Sequence, residues 1–519
     1  MPKTISLISP GPPDISEFGM RSLSAYMKSK GYRVIKIFLP GGVEHFRHNP
    51  EYIYSYDRKI FASIDEILKG TDIVGVSFMS NYLDRALALS KHLRSKGKCL
   101  IWGGIHPTVL PVQSLEYADY VICGEGEKAM YNLTESLIKG EYYPGIKNLY
   151  YKGRHGDIFY IGQEELIDDI NSLPYTDYST DDSYILNMKK GELEPLTAEI
   201  FCNTLMFERP IKHKAAKSFK IYTSRGCPYS CTYCANSTLR ALAPSGKYLR
   251  FESIDRIIDR LKLILRDFPC IGVINLFDDV FTSRPREEIH EFCQKYRKAI
   301  GLPFQIQIAP GNLDEELLIH MLQSGLYYIE MGIQSLSERT QKLYMRNMDI
   351  NRLKDTINLI NSHKKAMNHP CYHIILDNPW ETELEKRQTL EFLLDIPKPF
   401  WLKTASLVLF PGTKLYIKGK TDGTLYDEEK QIYRKNLITP EINYINFLFF
   451  LTGKHFIPAI IVKMLNNSLF IKIFSFSGFN FAIRVLMGII ELSELVFKGI
   501  RALVKGDIKR IYSYLKRIR

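Results

Sequence analysis

The sequence predicts an α/β protein in three parts: a doubly wound parallel sheet, a partial (β/α)6 barrel and a mainly helical end. Two separate runs of alternating strand and helix patterns predict the first two parts. An apolar stretch edged by cations, from Tyr444 onward, predicts the third. The expected boundaries are 1–140 for the sheet domain, 141–215 for a connector, 216–420 for the barrel and 421–519 for the helical region.

In the first run, KTISLIS (3–9) is apolar and stops at Ser9-Pro10-Gly11. The opening MPKTISLISPGPP lacks the charged start and long apolar core of a signal peptide, so it reads as a strand. MRSLSAYMKSKGY (20–32) has helical spacing and ends at glycine. RVIKIFL (33–39), DIVGVSF (72–78), KCLIWGG (98–104) and YVICGEG (120–126) are β-rich, with helical stretches such as LDRALALSKHLRSKG (83–97) between them. In such sheets ligands sit at the carboxyl ends of strands, here occupied by small residues: Ser77, Gly103-Gly104 and Gly124-Glu125-Gly126. In the connector, NLYYKGRHGDIFYI reads as a hairpin and INSLPYTDYSTDD as a loop.

The second run starts at FKIYTSRGC (219–227) and continues through IGVINLFDD (271–279), FQIQIAP (304–310), YYIEMGIQS (327–335), YHIILDNP (372–379) and LKTASLVLF (402–410). Amphipathic helices such as ESIDRIIDRLKLILRDF (252–268) separate them. Parallel barrels place their chemistry at the carboxyl ends of the strands.

The chain has 519 residues and a formal charge of +12. The excess is local: from Lys454 to Arg519, twelve Lys and Arg face only Glu491, Glu494 and Asp507. A basic chain suggests nucleic acid, but an excess confined to one apolar tail excludes that reading. Six of the nine cysteines are scattered singly among apolar neighbours and read as buried small side chains. With no paired framework, they predict a reducing, cytoplasmic compartment.

The other three, Cys227, Cys231 and Cys234, are spaced C-x3-C-x2-C in SRGCPYSCTYCANSTL. Three thiolates on one short loop can hold three irons of a cubane cluster, leaving the fourth iron open to a chelating molecule. A zinc knuckle is the competing reading, but zinc usually takes four protein ligands, often as two C-x2-C pairs. No second pair exists here. The loop resembles that of the radical S-adenosylmethionine (radical SAM) enzymes, including the aromatic Tyr233 before the last cysteine. That resemblance implies a 4Fe-4S cluster on the three cysteines, with S-adenosylmethionine on the open iron as the source of a 5′-deoxyadenosyl radical.

By the same resemblance, Asp278 or Asp279, with a slight preference for Asp278, meets the methionyl amine. A carboxylate suits an ammonium because a charge-assisted hydrogen bond is short and strong. The family's usual Gly-Gly-Glu is here Phe277-Asp278-Asp279. Tyr233, Gln334, Ser335, Arg346 and Asn378 complete the implied cofactor contacts. Asn378-Pro379 stands where a glycine-rich strand end is usual.

The first domain resembles the cobalamin-binding domain. Asp14-Ile15-Ser16-Glu17-Phe18-Gly19, Ser77-Phe78-Met79 and Gly103-Gly104 follow its D-x-H-x-x-G, S-x-L and G-G pattern, with Ser16 replacing the lower-ligand histidine. A flavodoxin-like sheet without a ligand is the alternative from pattern alone. WGGIHPTVLP (102–111) and EYADYVICGEGE (116–127) are similar to stretches of the cobalamin-dependent radical SAM branch. The resemblance implies a corrinoid with no axial histidine, bounded by Ser77, Gly103, Gly104, His106, Gly124, Glu125 and Gly126.

The expected function is methyl transfer to an unactivated carbon of a small-molecule or lipid-like substrate. Radical cyclisation or rearrangement with the same cofactors is the alternative, and a non-catalytic corrinoid or cluster sensor is the third. An electron donor such as flavodoxin or ferredoxin is implied, and no residue is assigned to the chemical step itself. In the tail, no uninterrupted apolar run reaches the ~18 residues of a spanning helix. Apolar faces edged by Lys and Arg predict either peripheral attachment to the inner face of a membrane or a packed domain with a solvated basic end.

Overall fold

Apolar strands of a parallel sheet need cover on both faces. The computed structural model describes residues 3–12, 15–41, 56–140, 145–211, 213–243, 247–435 and 437–504. Its first five strands are β1 (Thr4–Ser9), β2 (Arg33–Phe38), β3 (Ile73–Ser77), β4 (Cys99–Gly103) and β5 (Tyr120–Ile122). They lie in the order β5-β4-β3-β1-β2, all parallel. Helices Phe18–Ser29, Arg58–Ile67 and Leu83–Ser95 and the short helices Ile105–Val109 and Pro111–Ser114 connect them, helix Glu127–Lys139 follows β5, and Ile5, Val34, Val74 and Leu100 are fully buried. Strand order reverses at β1, and because the strands are parallel the turn residues after β3, β4 and β5 share one edge.

Residues 141–215, expected as a connector, supply four more strands to this sheet. The hairpin β6 (Leu149–Lys152) and β7 (Ile158–Tyr160) extends it antiparallel beyond β5. At the other edge, β8 (Ser183–Asn187) pairs parallel with β2, and β9 (Glu192–Pro195) pairs antiparallel with β8. A buried cation draws this segment in. Lys36 on β2 is fully buried, with its Nζ 2.7 Å from the Asp177 carboxylate and 2.8 Å from the Ser179 carbonyl. A buried ammonium without such partners costs several kcal/mol, so the stretch around Asp177 must lie against β2.

The second sheet begins with β10 (Phe207–Glu208), antiparallel to β11 (Ala216–Ile221). A short ribbon, β12 (Ser224–Arg225) with β13 (Arg250–Phe251), sits beyond the end of β11. The sheet continues through β14 (Ile271–Leu276), β15 (Phe304–Ile308), β16 (Leu326–Gln334), β17 (Cys371–Leu376) and β18 (Trp401–Ser406). The six strands β11, β14, β15, β16, β17 and β18 are parallel and curl into a half-barrel, with helices on the outside.

The reading of six isolated cysteines is corrected at one pair. Cys202 and Cys270 form a disulfide between helix Ala198–Thr204 and the turn before β14. Phe201 packs on Phe268 with ring centroids 4.3 Å apart, which brings the two thiols together across 68 residues of sequence. The inference of a reducing compartment from unpaired cysteines loses that support.

In the C-terminal region, helix Tyr444–Thr452 packs on helix Glu383–Asp395 and β18, and almost all of its residues are buried. Helices Ala459–Leu465, Ser468–Phe474 and Asn480–Val504 follow. Among the described residues no single helix is long and apolar enough to cross a membrane; Ser468–Phe474 with Ser477–Ile500 meets the requirement only as a pair bent by 79°. Residues 505–519 of the basic tail lie outside the described residues.

Candidate active site

A cavity of about 570 Å³ opens between the two sheets. One wall comes from the strand ends of the first domain: Ser77, Gly103, Gly104, Gly124, Glu125 and Gly126. Phe18, Gly19 and Ser22 from the first helix join them. The facing wall comes from residues that flank the cysteine loop, Arg225, Gly226 and Asn236, with Tyr248, Arg250 and Asp279; the three cysteines themselves do not line it. The small residues hold the first wall back. A Cβ on Gly104 (φ +96°) would meet the Phe78 carbonyl oxygen at 2.7 Å, whereas one on Gly19 would meet nothing within 4 Å.

Two arginines join the walls. Arg225 lies 2.6 Å from Glu127 and 3.1 Å from Glu125, and also donates to Ser22 Oγ at 2.8 Å. Arg250 lies 2.7 Å from Glu125. Burial alone would raise the Glu125 carboxyl, but Arg250 and Arg225 together hold it below its ordinary value.

The cysteine loop is braced at both ends. Before it, Asp278 is buried and its carboxylate accepts the backbone N–H of Thr223 at 2.6 Å, that of Ser224 at 2.9 Å and the Thr223 hydroxyl. Within it, Thr232 Oγ1 donates to the Leu343 carbonyl at 2.6 Å, and its N–H donates to the Tyr344 carbonyl at 3.1 Å. Arg346 approaches Cys231 Sγ at 3.8 Å while donating to the Gly332 carbonyl at 2.7 Å. Gly226 (φ +91°) makes the tight approach: a Cβ there would strike the Tyr248 carbonyl oxygen at 2.3 Å.

Several sequence expectations change here. Asp278 is committed to the loop backbone, and Asp279 is the carboxylate that faces the cavity. Asp279 accepts from Asn236 at 2.9 Å, and burial pushes its carboxyl up to about 6. Tyr233 and Gln334 line a separate pocket of about 240 Å³ with His373, Lys403 and Phe410. Ser335, expected beside Gln334, turns inward and donates to Glu381 at 2.6 Å. Asn378 is likewise buried, its side-chain oxygen accepting the Trp380 N–H at 3.0 Å. His106 does not line the cavity. The helix Ile105–Val109 begins at Gly104 and turns the ring back against Phe78, with Nδ1 3.1 Å from Ser80 Oγ. Burial lowers its pKa to about 4. Ser16 borders a different small pocket, beside Tyr178 and Phe201, and Asp14 lies outside the described residues.

Sequence reading missed Arg225, Arg250, Asn236 and Glu127 as wall residues. Glu127 closes the repeated Gly-Glu of GEGE, and Arg225 stands two residues before the first loop cysteine. Those positions were the available signal.

The sequence matches the B12 binding domain over residues 7–134 and the radical SAM superfamily over residues 221–393. The chain belongs to the cobalamin-dependent radical SAM enzymes. It is similar to an uncharacterized methyltransferase, PH0819, of Pyrococcus horikoshii, with 24% identity over 69% of this chain and 71% of the relative. It is also similar to the cytidylyl-2-hydroxyethylphosphonate methyltransferase of Streptomyces wedmorensis, with 27% identity over 62% of each chain. The methyltransferase TsrM of Kitasatospora setae, solved with cobalamin and a 4Fe-4S cluster bound, shares the fold. Its TM-score is 0.62 at 15% identity, covering 81% of this chain and 78% of that one.

This radical SAM enzyme uses a 4Fe-4S cluster, S-adenosylmethionine and cobalamin. Its residues fit the three groups. Burial pushes the Cys227 thiol up to about 12 and raises that of Cys234; metal coordination would favour their thiolate forms. The glycine-lined strand ends leave room for a flat macrocycle, and Gly226 and Asn236, on either side of the three loop cysteines, border the same cavity.

Proposed function

We propose that this enzyme transfers a methyl group to an unactivated carbon of a small-molecule substrate. The observation that carries the reading is the shared cavity, bordered on one side by the cobalamin-domain strand ends and on the other by Arg225, Gly226 and Asn236, which flank the cysteine loop. When bound, the cluster and S-adenosylmethionine supply hydrogen abstraction, and cobalamin supplies the methyl group. Reacting atoms must come within ~3–3.5 Å, and a chamber between the two domains is where such an approach would be made.

Within this reading, Cys227, Cys231 and Cys234 ligate the cluster. Asp279 orients the methionyl ammonium, while Asp278 holds the loop backbone still. Tyr233 and Gln334 bound the adenosyl side of the cofactor through their common pocket. Arg346 holds a positive charge beside Cys231. Ser77, Gly103, Gly104, Gly124 and Gly126 form the corrinoid floor, and Glu125 fixes the wall through Arg225 and Arg250. A low-potential protein of the flavodoxin or ferredoxin type delivers the electron.

The test is product stoichiometry with methyl-labelled S-adenosylmethionine. Each turnover should give one S-adenosylhomocysteine, one 5′-deoxyadenosine and one labelled methyl in product. Product and 5′-deoxyadenosine without S-adenosylhomocysteine would reject methylation in favour of ring formation or rearrangement.

A membrane-facing role extends this reading, at the inner face of the cytoplasmic membrane. Phe481 and Phe497 are 76% and 73% exposed, and Ile460, Met464, Leu469 and Phe476 are exposed too. Exposed apolar patches of this kind mark interaction sites, and Lys463, Lys472 and Arg484 among them favour anionic lipid. Truncation before Tyr444 should abolish sedimentation with anionic vesicles. Equal sedimentation of the full and truncated chains would reject the extension.

A further inference from the structure

Among the described residues, one further set of metal-ligating side chains converges: His290, Glu316 and His320. His290 lies on helix Arg286–Ala299, which follows β14, and the other two lie on helix Glu315–Gln323, which follows β15. The two helices pack against each other on the outer layer of the half-barrel. Glu316 and His320 are four residues apart and share a helix face. None of the three lines the 570 Å³ cavity or the 240 Å³ pocket.

The two imidazoles meet nitrogen to nitrogen. Their Nδ1 atoms are 2.6 Å apart, and the ring planes cross at 80° with centroids 4.6 Å apart. That separation is at or below the short limit for an N–H donor. Joined by a proton alone, the neutral rings would need opposite tautomers at Nδ1, one donating and one accepting. A shared electrophile satisfies both nitrogens without that restriction. The carboxylate of Glu316 supplies a third donor on the same side.

We propose that His290, His320 and Glu316 bind one borderline divalent cation, of which zinc is the representative. Two imidazoles and a carboxylate suit zinc, nickel or cobalt, whereas calcium and magnesium take oxygen ligands throughout. Zinc sits ~2.0–2.1 Å from each nitrogen, so a tetrahedral angle needs the nitrogens roughly 3.3 Å apart. The rings reach that by opening less than an ångström. Glu316 is exposed and both histidines are half-buried, so the fourth position is left to solvent. Glu316 now pairs with Arg286 at 2.7 Å; on binding, Arg286 retains Asp314 as its partner. The ion would clip together the helices on either side of β15, outside the reacting chamber.

The experiment uses the cluster-loaded enzyme under anaerobic conditions, so that the loop cysteines are occupied. Zinc chloride is added at about 10 µM free zinc, a concentration that fills a micromolar site. Zinc and iron per chain are measured after desalting, and X-ray absorption at the zinc edge reports the ligand type. The expected result is one zinc per chain with nitrogen and oxygen ligands. Affinity should fall about tenfold or more in His290→Ala and in His320→Ala, and less in Glu316→Gln, with iron content unchanged. If an alanine variant loses iron as well, His290→Gln replaces it in the comparison. No bound zinc, sulfur coordination, or full zinc in the double histidine variant would overturn the proposal.

Discussion

Replacing Arg225 by methionine tests whether the two walls of the cavity are held as one unit. The guanidinium lies 2.6 Å from Glu127 and 3.1 Å from Glu125. Its side chain is 27% exposed, whereas that of Glu127 is 6% exposed. Breaking a fully buried pair costs ~3–5 kcal/mol, because the remaining charge stays desolvated without a partner. Arg225 keeps about a quarter of its surface in water and Glu125 retains Arg250 at 2.7 Å, so the expected loss is about 2–3 kcal/mol. Most of it falls on Glu127, which is left with Ser22 Oγ at 3.1 Å. The assay is a double-mutant cycle of Arg225→Met and Glu127→Gln, read by urea unfolding of the cluster-loaded enzyme together with cobalamin affinity. The pair should show a coupling of roughly 1 kcal/mol or more, since the doubly neutral variant leaves no buried charge behind. Iron content should be unchanged, because the cysteines and the Asp278 brace are untouched. Strictly additive single losses, with cobalamin affinity equal in all four proteins, would refute the view that this pair joins the domains.

Alanine at Cys227, Cys231 and Cys234 together should abolish cluster absorbance, while Cys99→Ala and Cys371→Ala keep it; four irons retained in the triple variant would reject the ligand set. Asp279→Asn should weaken S-adenosylmethionine binding by about tenfold with iron retained, the loss of one charge-assisted contact. Asp278→Asn should instead lower iron retention, and the reverse pattern, read by iron analysis and equilibrium dialysis, would exchange the two roles. Electron paramagnetic resonance of the cob(II)alamin state should show no splitting from a protein imidazole nitrogen, and His106→Ala should leave the spectrum unchanged. Splitting that vanishes in His106→Ala would place that ring on cobalt.

What could be read in the sequence was local. The three loop cysteines carry their meaning in a spacing of a few residues, and each parallel strand is an apolar run bounded by turn residues. The positions that changed depend on distant partners. Asp278 and Asp279 are adjacent, and which one turns inward is decided by the backbone N–H groups of Thr223 and Ser224, more than fifty residues earlier. Arg225 meets Glu127 across 98 residues, and Cys202 meets Cys270 across 68. Neither pair leaves a trace in spacing or periodicity. His106 looked like a wall residue because it follows Gly104, but the helix that starts there rotates its ring to the opposite side. Residues 141–215 looked like a connector because their strands are short and partly polar; the buried Lys36 is what recruits them.

The charge pattern of the cavity bears on what it can accept. Glu125, Glu127, Arg225 and Arg250 are spent on one another, and Arg256 donates to the Leu173 and Pro174 carbonyls at 2.6 and 3.1 Å. Asp279 has no ion-pair partner among the described residues. Leu7, Leu23, Ile101, Leu166, Leu239 and Leu242 make up much of the remaining lining. A small, strongly charged substrate would have to pull one of these arginines or glutamates from its partner and leave the other desolvated, at a cost of several kcal/mol. An apolar or weakly polar substrate faces no such cost. The arrangement that locks the two walls therefore also biases the chamber toward uncharged carbon frameworks. Charged and neutral analogues of one scaffold, compared by competition, should separate by about tenfold or more in favour of the neutral one, and a preference for the charged analogue would overturn the argument.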